Sequence, residues 1–256
     1  MSGKPRVWTA ALLVIGDEIL SGRTQDKNIA QVALWLNGQG IRLAEVRVVP
    51  DVEARIVEAV NALRATYDYL LTTGGIGPTH DDITIDAVAA AFGVPVIVHA
   101  EAKAMLEAYY AQRTDGFKLT ESRLRMARTP AGAALIANRN SGAPGVKMDN
   151  VFILAGVPHI AAAMLEALDG ALEGGRPMVS RTIGARVAES DVADLLGQTE
   201  ADHPGVTIGS YPFFKDGTYG SNFVVRGDDP ALVDACADEL ARRLGSVGCE
   251  PVDGGI

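Results

Sequence analysis

Short apolar runs alternate with stretches of helical spacing over the first two thirds of the chain. Arg6 to Ile15 is almost continuously apolar, as expected of a strand covered on both faces. Gly16 breaks it, and GDEILSGRTQDKN reads as a polar loop until Asp26 or Asn28 opens a helix through Trp35 to Asn37, stopped by Gly38 and Gly40. Ile41 to Val49 is the next strand. Beyond Pro50, Asp51 is placed to N-cap a helix carrying Ile56, Val57, Val60 and Leu63 on its core side. Tyr69 to Leu71 forms a strand ending at Gly74, a helix follows from about Asp81 to Ala91, and Pro95 demotes Val94 to Val98 to an edge strand. Helices are expected over Ala100 to Ala111, over Leu119 to Ala127, and from Pro158 to about Leu172, with strands at Ala134 to Asn138 and Val151 to Leu154. Such alternation predicts an α/β fold: a mainly parallel sheet with helices on both faces.

The pattern changes after the linker Glu173 to Pro177. Strands at Thr182 to Val187, Val206 to Tyr211 and Asn222 to Arg226, with helices from Ser190 to Leu196 and Pro230 to Leu244, predict a small C-terminal α+β domain. The expected division is therefore 1–174 and 178–256.

Charge narrows the partners. A formal net charge of −9 with no basic run argues against nucleic acid. Only Cys236 and Cys249 are present, without a CxxC pair or a Cys/His cluster, which fits a reducing, cytoplasmic setting and no zinc site. The apolar VWTAALLVIG near the start is about half a membrane span and reads as a core strand, so no membrane partner is expected.

The candidate chemistry centres on TTGGIGPTHDD, residues 72 to 82. A strand runs into Gly74, Gly75 and Gly77, then into a helix start. Glycines let a ligand approach the main chain, and the first helical turn offers free N–H groups at the positive dipole end. This is a phosphate cradle, with Thr79 and His80 as further donors. The loop is neither a Rossmann fingerprint nor a Walker A, and three glycines also make a plain tight turn. Asp81 and Asp82 follow, and two carboxylates beside a diphosphate repel it unless positive charge stands between. A divalent cation such as Mg²⁺ answers that, with Asp17, Asp81 and Asp82 as candidate ligands. Alternatively, the pair merely complements the helix dipole, Thr79 capping and Asp82 reaching back. Asp86, one turn on, reads as a solvated charge. Asp17 and Glu18 stand directly after a buried strand, at the carboxyl edge where ligands of such sheets bind. Ser141, Gly142 and Gly145 in SGAPG form a second glycine turn able to meet a second phosphate, or an ordinary turn. His99, His159 and His203 are expected to face solvent or make local hydrogen bonds. No GxSxG elbow supports a nucleophilic serine.

GDEILSG (16–22), TQDKN (24–28), VVPD (48–51), TTGGIGPTHDDIT (72–84) and LAGVP (154–158) together resemble the molybdopterin-binding, MoaB/Mog-like fold, a three-layer sandwich. More narrowly they resemble the competence/damage-inducible protein A branch. GDEILSGRTQDKN, GGIGPTHDDIT and GSYP (209–212) are similar to the domain of bifunctional FAD synthase associated with FAD hydrolysis. The resemblance implies a pterin or dinucleotide diphosphate at the glycine loops, a homo-oligomer, and roles in activity for the acids at Asp51 and Asp82. The competence-protein branch is associated with metal-dependent cleavage of ADP-ribose. Ala155 replaces the proline usual before GVP, His159-Ile160 stands where a glutamate is usual, and Asp26-Lys27-Asn28 replaces an NTN run. The expected activity is hydrolysis of FAD to FMN and AMP, or of ADP-ribose to AMP and ribose 5-phosphate, with Asp82, Asp51 and Glu18 as catalytic acids. The rivals are a non-catalytic molybdopterin-binding module and a molybdopterin adenylyltransferase of molybdenum-cofactor biosynthesis.

Overall fold

A computed structural model describes residues 6–215 and 217–256, and the chain divides after Gly175 into two compact units. In the first, the order is β1 (Trp8–Ile15), α1 (Asp17–Leu20), α2 (Asn28–Gly38), β2 (Ile41–Val49), α3 (Glu53–Thr66), β3 (Tyr69–Thr73), α4 (Thr84–Phe92), β4 (Val96–Val98) and α5 (Ala100–Ala111). It continues with α6 (Glu121–Leu124), β5 (Arg128–Pro130), β6 (Ala134–Ile136), β7 (Gly145–Met148), β8 (Val151–Leu154) and α7 (Pro158–Glu166).

The sheet runs β2-β1-β3-β8-β7-β6. Its first four strands are parallel, and β7 and β6 extend it antiparallel. β1 shows why its sequence is apolar throughout. Ala11, Leu13 and Ile15 face Ile56, Val60 and Val88 of α3 and α4, while Ala10, Leu12 and Val14 face Val32, Leu36 and Met164 of α2 and α7. Because β2 lies on one side of β1 and β3 on the other, the connections diverge there. The crevice between the carboxyl ends of β1 and β3 is the topological switch point, where ligands of such sheets bind.

The second unit contains β9 (Val179–Ala185), α8 (Ala193–Asp202), β10 (Val206–Lys215), β11 (Thr218–Gly227), α9 (Pro230–Ser246) and β12 (Val252–Asp253). Its antiparallel sheet, β10-β11-β9-β12, is covered by α9, which buries Val233, Cys236, Ala237, Leu240 and Leu244 at helical spacing against Ile183, Phe223 and Val225. Strand β10 is a sheet edge, yet it is blunted. The outward Ile208 N–H donates to Glu200 of α8 at 2.7 Å, and Pro212, on the same side of the strand, has no N–H to offer. Among the described residues, no helix is long and apolar enough to cross a membrane.

Several local readings change. The GDE loop begins with the helical turn α1. The glycine-loop helix starts at Thr84 rather than Asp81, because residues 79 to 82 close a turn of their own. Leu119 to Ala127 is split into α6 and a 3₁₀ turn, and the strand β7 joins the sheet immediately after the second glycine turn.

Candidate functional site

The carboxyl ends of β1, β3 and β8 meet at Gly74. Its φ is +102°, and a Cβ there would stand 2.1 Å from the Ile15 carbonyl oxygen, so only glycine lets the loop cross β1. Gly75, at φ +66°, lies over Thr84, whose hydroxyl donates to the Gly74 carbonyl at 2.8 Å while its N–H donates to the Gly75 carbonyl at 3.0 Å. Gly77 leaves room for the Asp82 carboxylate, which would be 2.7 Å from a Cβ placed there. Asp82 in turn accepts from the Thr79 N–H at 2.7 Å and from the Thr79 hydroxyl. The loop is thus tied from below by Thr84 and from within by Asp82, which is the reach-back arrangement weighed from sequence.

A cleft of ≈ 660 Å³ opens above this loop. That is the size of a small-molecule site. Gly74, Gly75, Gly77, Asp82, Glu18 and Ser141 line it, together with apolar walls from Met126, Ile160 and Met164. Tyr109, Tyr110, Arg113 and Arg123 complete it. These last four were missed from sequence. A signal existed: residues 113–128 carry five basic and two acidic residues in a chain of net charge −9, and aromatic residues flank them. Arg113 and Arg123 thus bring positive charge to the cleft that Asp82 lines.

The remaining candidates are spread. His80 and Thr79 line a second cavity of ≈ 560 Å³ with Thr120, Ser122, Pro78 and Arg123. Asp81 is exposed and lines neither cavity. Gly142 sits against the Tyr109 ring, and Gly145 is a ladder residue of β7 paired with Ile136, so of the three expected residues of the second turn Ser141 alone lines the cleft, next to Ala143. Asp51 does not cap α3. Its carboxylate accepts the Asp17 N–H at 2.9 Å across the sheet edge, satisfying the exposed start of α1 instead. Burial pushes the Asp51 carboxyl above the ordinary carboxylate range; the Asp17 N–H opposes this, and the nearby Glu18, Asp17 and Asp81 charges reinforce it. Asp86 is not a solvated charge either, since it receives Arg128 of β5 in an ion pair.

Among the described residues, no three His, Cys, Asp or Glu side chains form a cage able to hold a metal, so Asp17, Asp81 and Asp82 are not assembled as ligands. Mg²⁺ does not need such a cage. It keeps several waters and takes one or two carboxylates plus substrate phosphate. The charges of Glu18, Asp17 and Asp81 lie close enough to raise the Asp51 carboxyl, so carboxylates are gathered at that edge of the sheet. Asn28, also missed, joins the edge by donating to the Gly156 carbonyl at 2.8 Å, and Asp26 caps α2 through the Ile29 N–H.

Residues 11–173 match a family described as probable molybdopterin binding domain. The chain belongs to that family. Residues 177–253 match a second family, the middle domain of FAD synthase. A Pyrobaculum calidifontis protein is 36% identical over 213 residues, covering 80% of each chain. A CinA-like protein from Gemmatimonas aurantiaca is 33% identical over 213 residues, 78% of this chain but 50% of that protein. Among solved structures, CinA from Thermoplasma acidophilum superposes with a TM-score of 0.59 at 32% identity, covering 64% of this chain and 98% of that one. The molybdopterin-binding fold of CinA type is thereby shown, with its mostly parallel sheet and an additional C-terminal antiparallel-sheet unit.

Proposed function

We propose that the cleft binds a nucleotide diphosphate and hydrolyses it with a divalent cation, FAD to FMN and AMP being the first candidate and ADP-ribose to AMP and ribose 5-phosphate the second. The observation that carries this is the cleft itself, whose lining combines the glycine loop at the switch point with the Glu18 carboxylate and the Arg123 guanidinium. The FAD synthase likeness of residues 177–253 ranks FAD first.

In this reading the backbone of Gly75 and Gly77 and the Arg123 guanidinium hold the diphosphate, and Tyr109 and Tyr110 offer ring faces to the nucleoside. Glu18 takes the proton of the water that attacks phosphorus, while the bridging P–O bond breaks and its oxygen leaves with the other phosphate. Asp51 and Asp17, next to Glu18 but outside the lining of the cleft, would hold the cation, whose chemistry is to neutralise charge on the departing phosphate and to acidify a bound water. Asp82 shapes the loop through Thr79. For that reason Glu18→Gln is a cleaner probe than any change at Asp82, which would also free Thr79.

The test is AMP release from FAD and from ADP-ribose with Mg²⁺, Mn²⁺ or Co²⁺, wild type against Glu18→Gln. The expected loss in the variant is about 10²- to 10⁴-fold. AMP at the same level from both proteins, or from neither, rejects the hydrolase. The family description favours a second reading, a module that holds a molybdopterin without turnover. Saturable pterin binding by calorimetry with no cleavage supports it, and complementation of a strain lacking molybdopterin adenylylation separates the adenylyltransferase.

A further inference from the structure

Two cavities of similar size share a wall. The ≈ 660 Å³ cleft and the ≈ 560 Å³ cavity beside it have two lining residues in common, Pro78 and Arg123. Their chemistry differs. The first is walled by Tyr109, Tyr110, Met126, Ile160 and Met164, surfaces that suit a flat ring system. Apart from Pro78, the second presents only polar side chains: Thr79, His80, Thr120, Ser122 and Arg123. Hydroxyls and an imidazole suit a sugar, whose own hydroxyls both donate and accept.

Arg123 is held in place without being neutralised. Its N–H donates to the Thr120 hydroxyl that caps α6, its guanidinium donates to the Lys118 carbonyl, and it lies 5.2 Å from the Tyr110 ring and 4.9 Å from the Phe117 ring. No carboxylate among the described residues pairs with it. Its neighbour Arg113 is different, being ion-paired with Asp115 and bonded to the Tyr109 hydroxyl at 2.8 Å. A positioned, uncompensated guanidinium at the junction of two cavities suits a diphosphate, because its planar fork matches two phosphate oxygens at once.

We infer that the ligand is a two-ended diphosphate, lying across both cavities with its flat ring in the tyrosine-walled cleft, its diphosphate at Arg123 and a sugar of its other half in the Thr79–Ser122 cavity. This rests on the proposed nucleotide-diphosphate reading and sharpens it. A mononucleotide fills one cavity and leaves the other empty, so a two-ended ligand such as FAD is preferred over FMN. The assignment makes Arg123 a binding residue and Ser122 a reporter of the second cavity.

Stopped-flow flavin fluorescence with Mg²⁺ reads binding before turnover and serves as the test, using FAD and FMN on wild type, Arg123→Ala, Arg123→Lys and Ser122→Trp. Ser122 is exposed and its side chain makes no hydrogen bond among the described residues, so its replacement by tryptophan fills the cavity without breaking the fold. Expected are tighter binding of FAD than FMN by wild type, a loss of FAD affinity of about 10- to 100-fold in Arg123→Ala, and partial recovery in Arg123→Lys. Ser122→Trp is expected to weaken FAD and leave FMN unchanged. Wild-type FAD affinity in either Arg123→Ala or Ser122→Trp overturns the inference, as does equal weakening of FAD and FMN by tryptophan. FAD binding with this pattern but no AMP release rejects hydrolysis and leaves the inference standing. No FAD binding by wild type rejects both.

Discussion

Thr84, the last residue of TTGGIGPTHDDIT, is fully buried and joins the glycine loop to α4 by two hydrogen bonds, through its hydroxyl to Gly74 and its N–H to Gly75. Thr84→Val keeps the shape and removes the hydroxyl, leaving the Gly74 carbonyl without that donor. The expected cost is about 1–3 kcal/mol. In a domain of this size each kcal/mol moves the melting temperature by roughly 2–4 °C, so calorimetry should show a clear fall. A melting temperature within a degree of wild type would mean that the hydroxyl does not brace the loop. The course of the loop was legible because its information is local: strand, glycines and acids stand within a dozen residues. Arg123 was not, because it reaches Pro78 only through the fold, some 45 positions away along the chain. Asp51 was misread as an ordinary cap for the same reason. Its partner, the Asp17 N–H, opens α1 just beyond the neighbouring strand β1, 34 positions away along the chain.

At the level of elements, periodicity performed best where burial is two-sided or one-sided throughout. The apolar run of β1 and the spacing along α3 and α9 correspond closely to the observed elements. It performed worst where side-chain bonds outweigh pattern. Residues 79 to 82 form a turn because Asp82 bonds Thr79; β7, also not expected, opens on Gly145, where a Cβ would stand 2.9 Å from the Ile153 carbonyl oxygen. Helix α9 carries a further element-scale consequence. Arg242 and then Arg243 hold the Glu239 carboxyl at about 2, below the ordinary glutamate range, and Arg243 also binds Asp202 of α8 at 2.6 Å. A carboxyl depressed in the folded state stabilises above its unfolded value and loses that contribution as pH falls toward the folded value. The C-terminal unit should therefore lose stability between the ordinary glutamate range and pH about 2. Glu239→Gln should flatten that part of the melting-temperature profile, and an unchanged slope would place the acid sensitivity elsewhere. The effect should be modest, because the group is solvent-screened.

Each unit of the molecule has a core of its own, one pair of clusters on the two faces of the parallel sheet and one under α9. Both cavities and every candidate site residue belong to the first unit, so a ligand that binds there stabilises that unit. Calorimetry of the full chain is expected to resolve two transitions. Leu240→Ala, which empties part of the α9 core at a cost of about 2–5 kcal/mol, should lower one of them and so label it as the C-terminal unit. FAD at roughly 100 times its dissociation constant adds about 2.7 kcal/mol to the unit that binds it. The other transition should then rise by about 5–10 °C while the labelled one stays in place. A rise in the labelled transition would assign FAD recognition to the C-terminal unit and remove the glycine loop from its central role. A single transition shifted by both Leu240→Ala and FAD would show that the two cores melt as one.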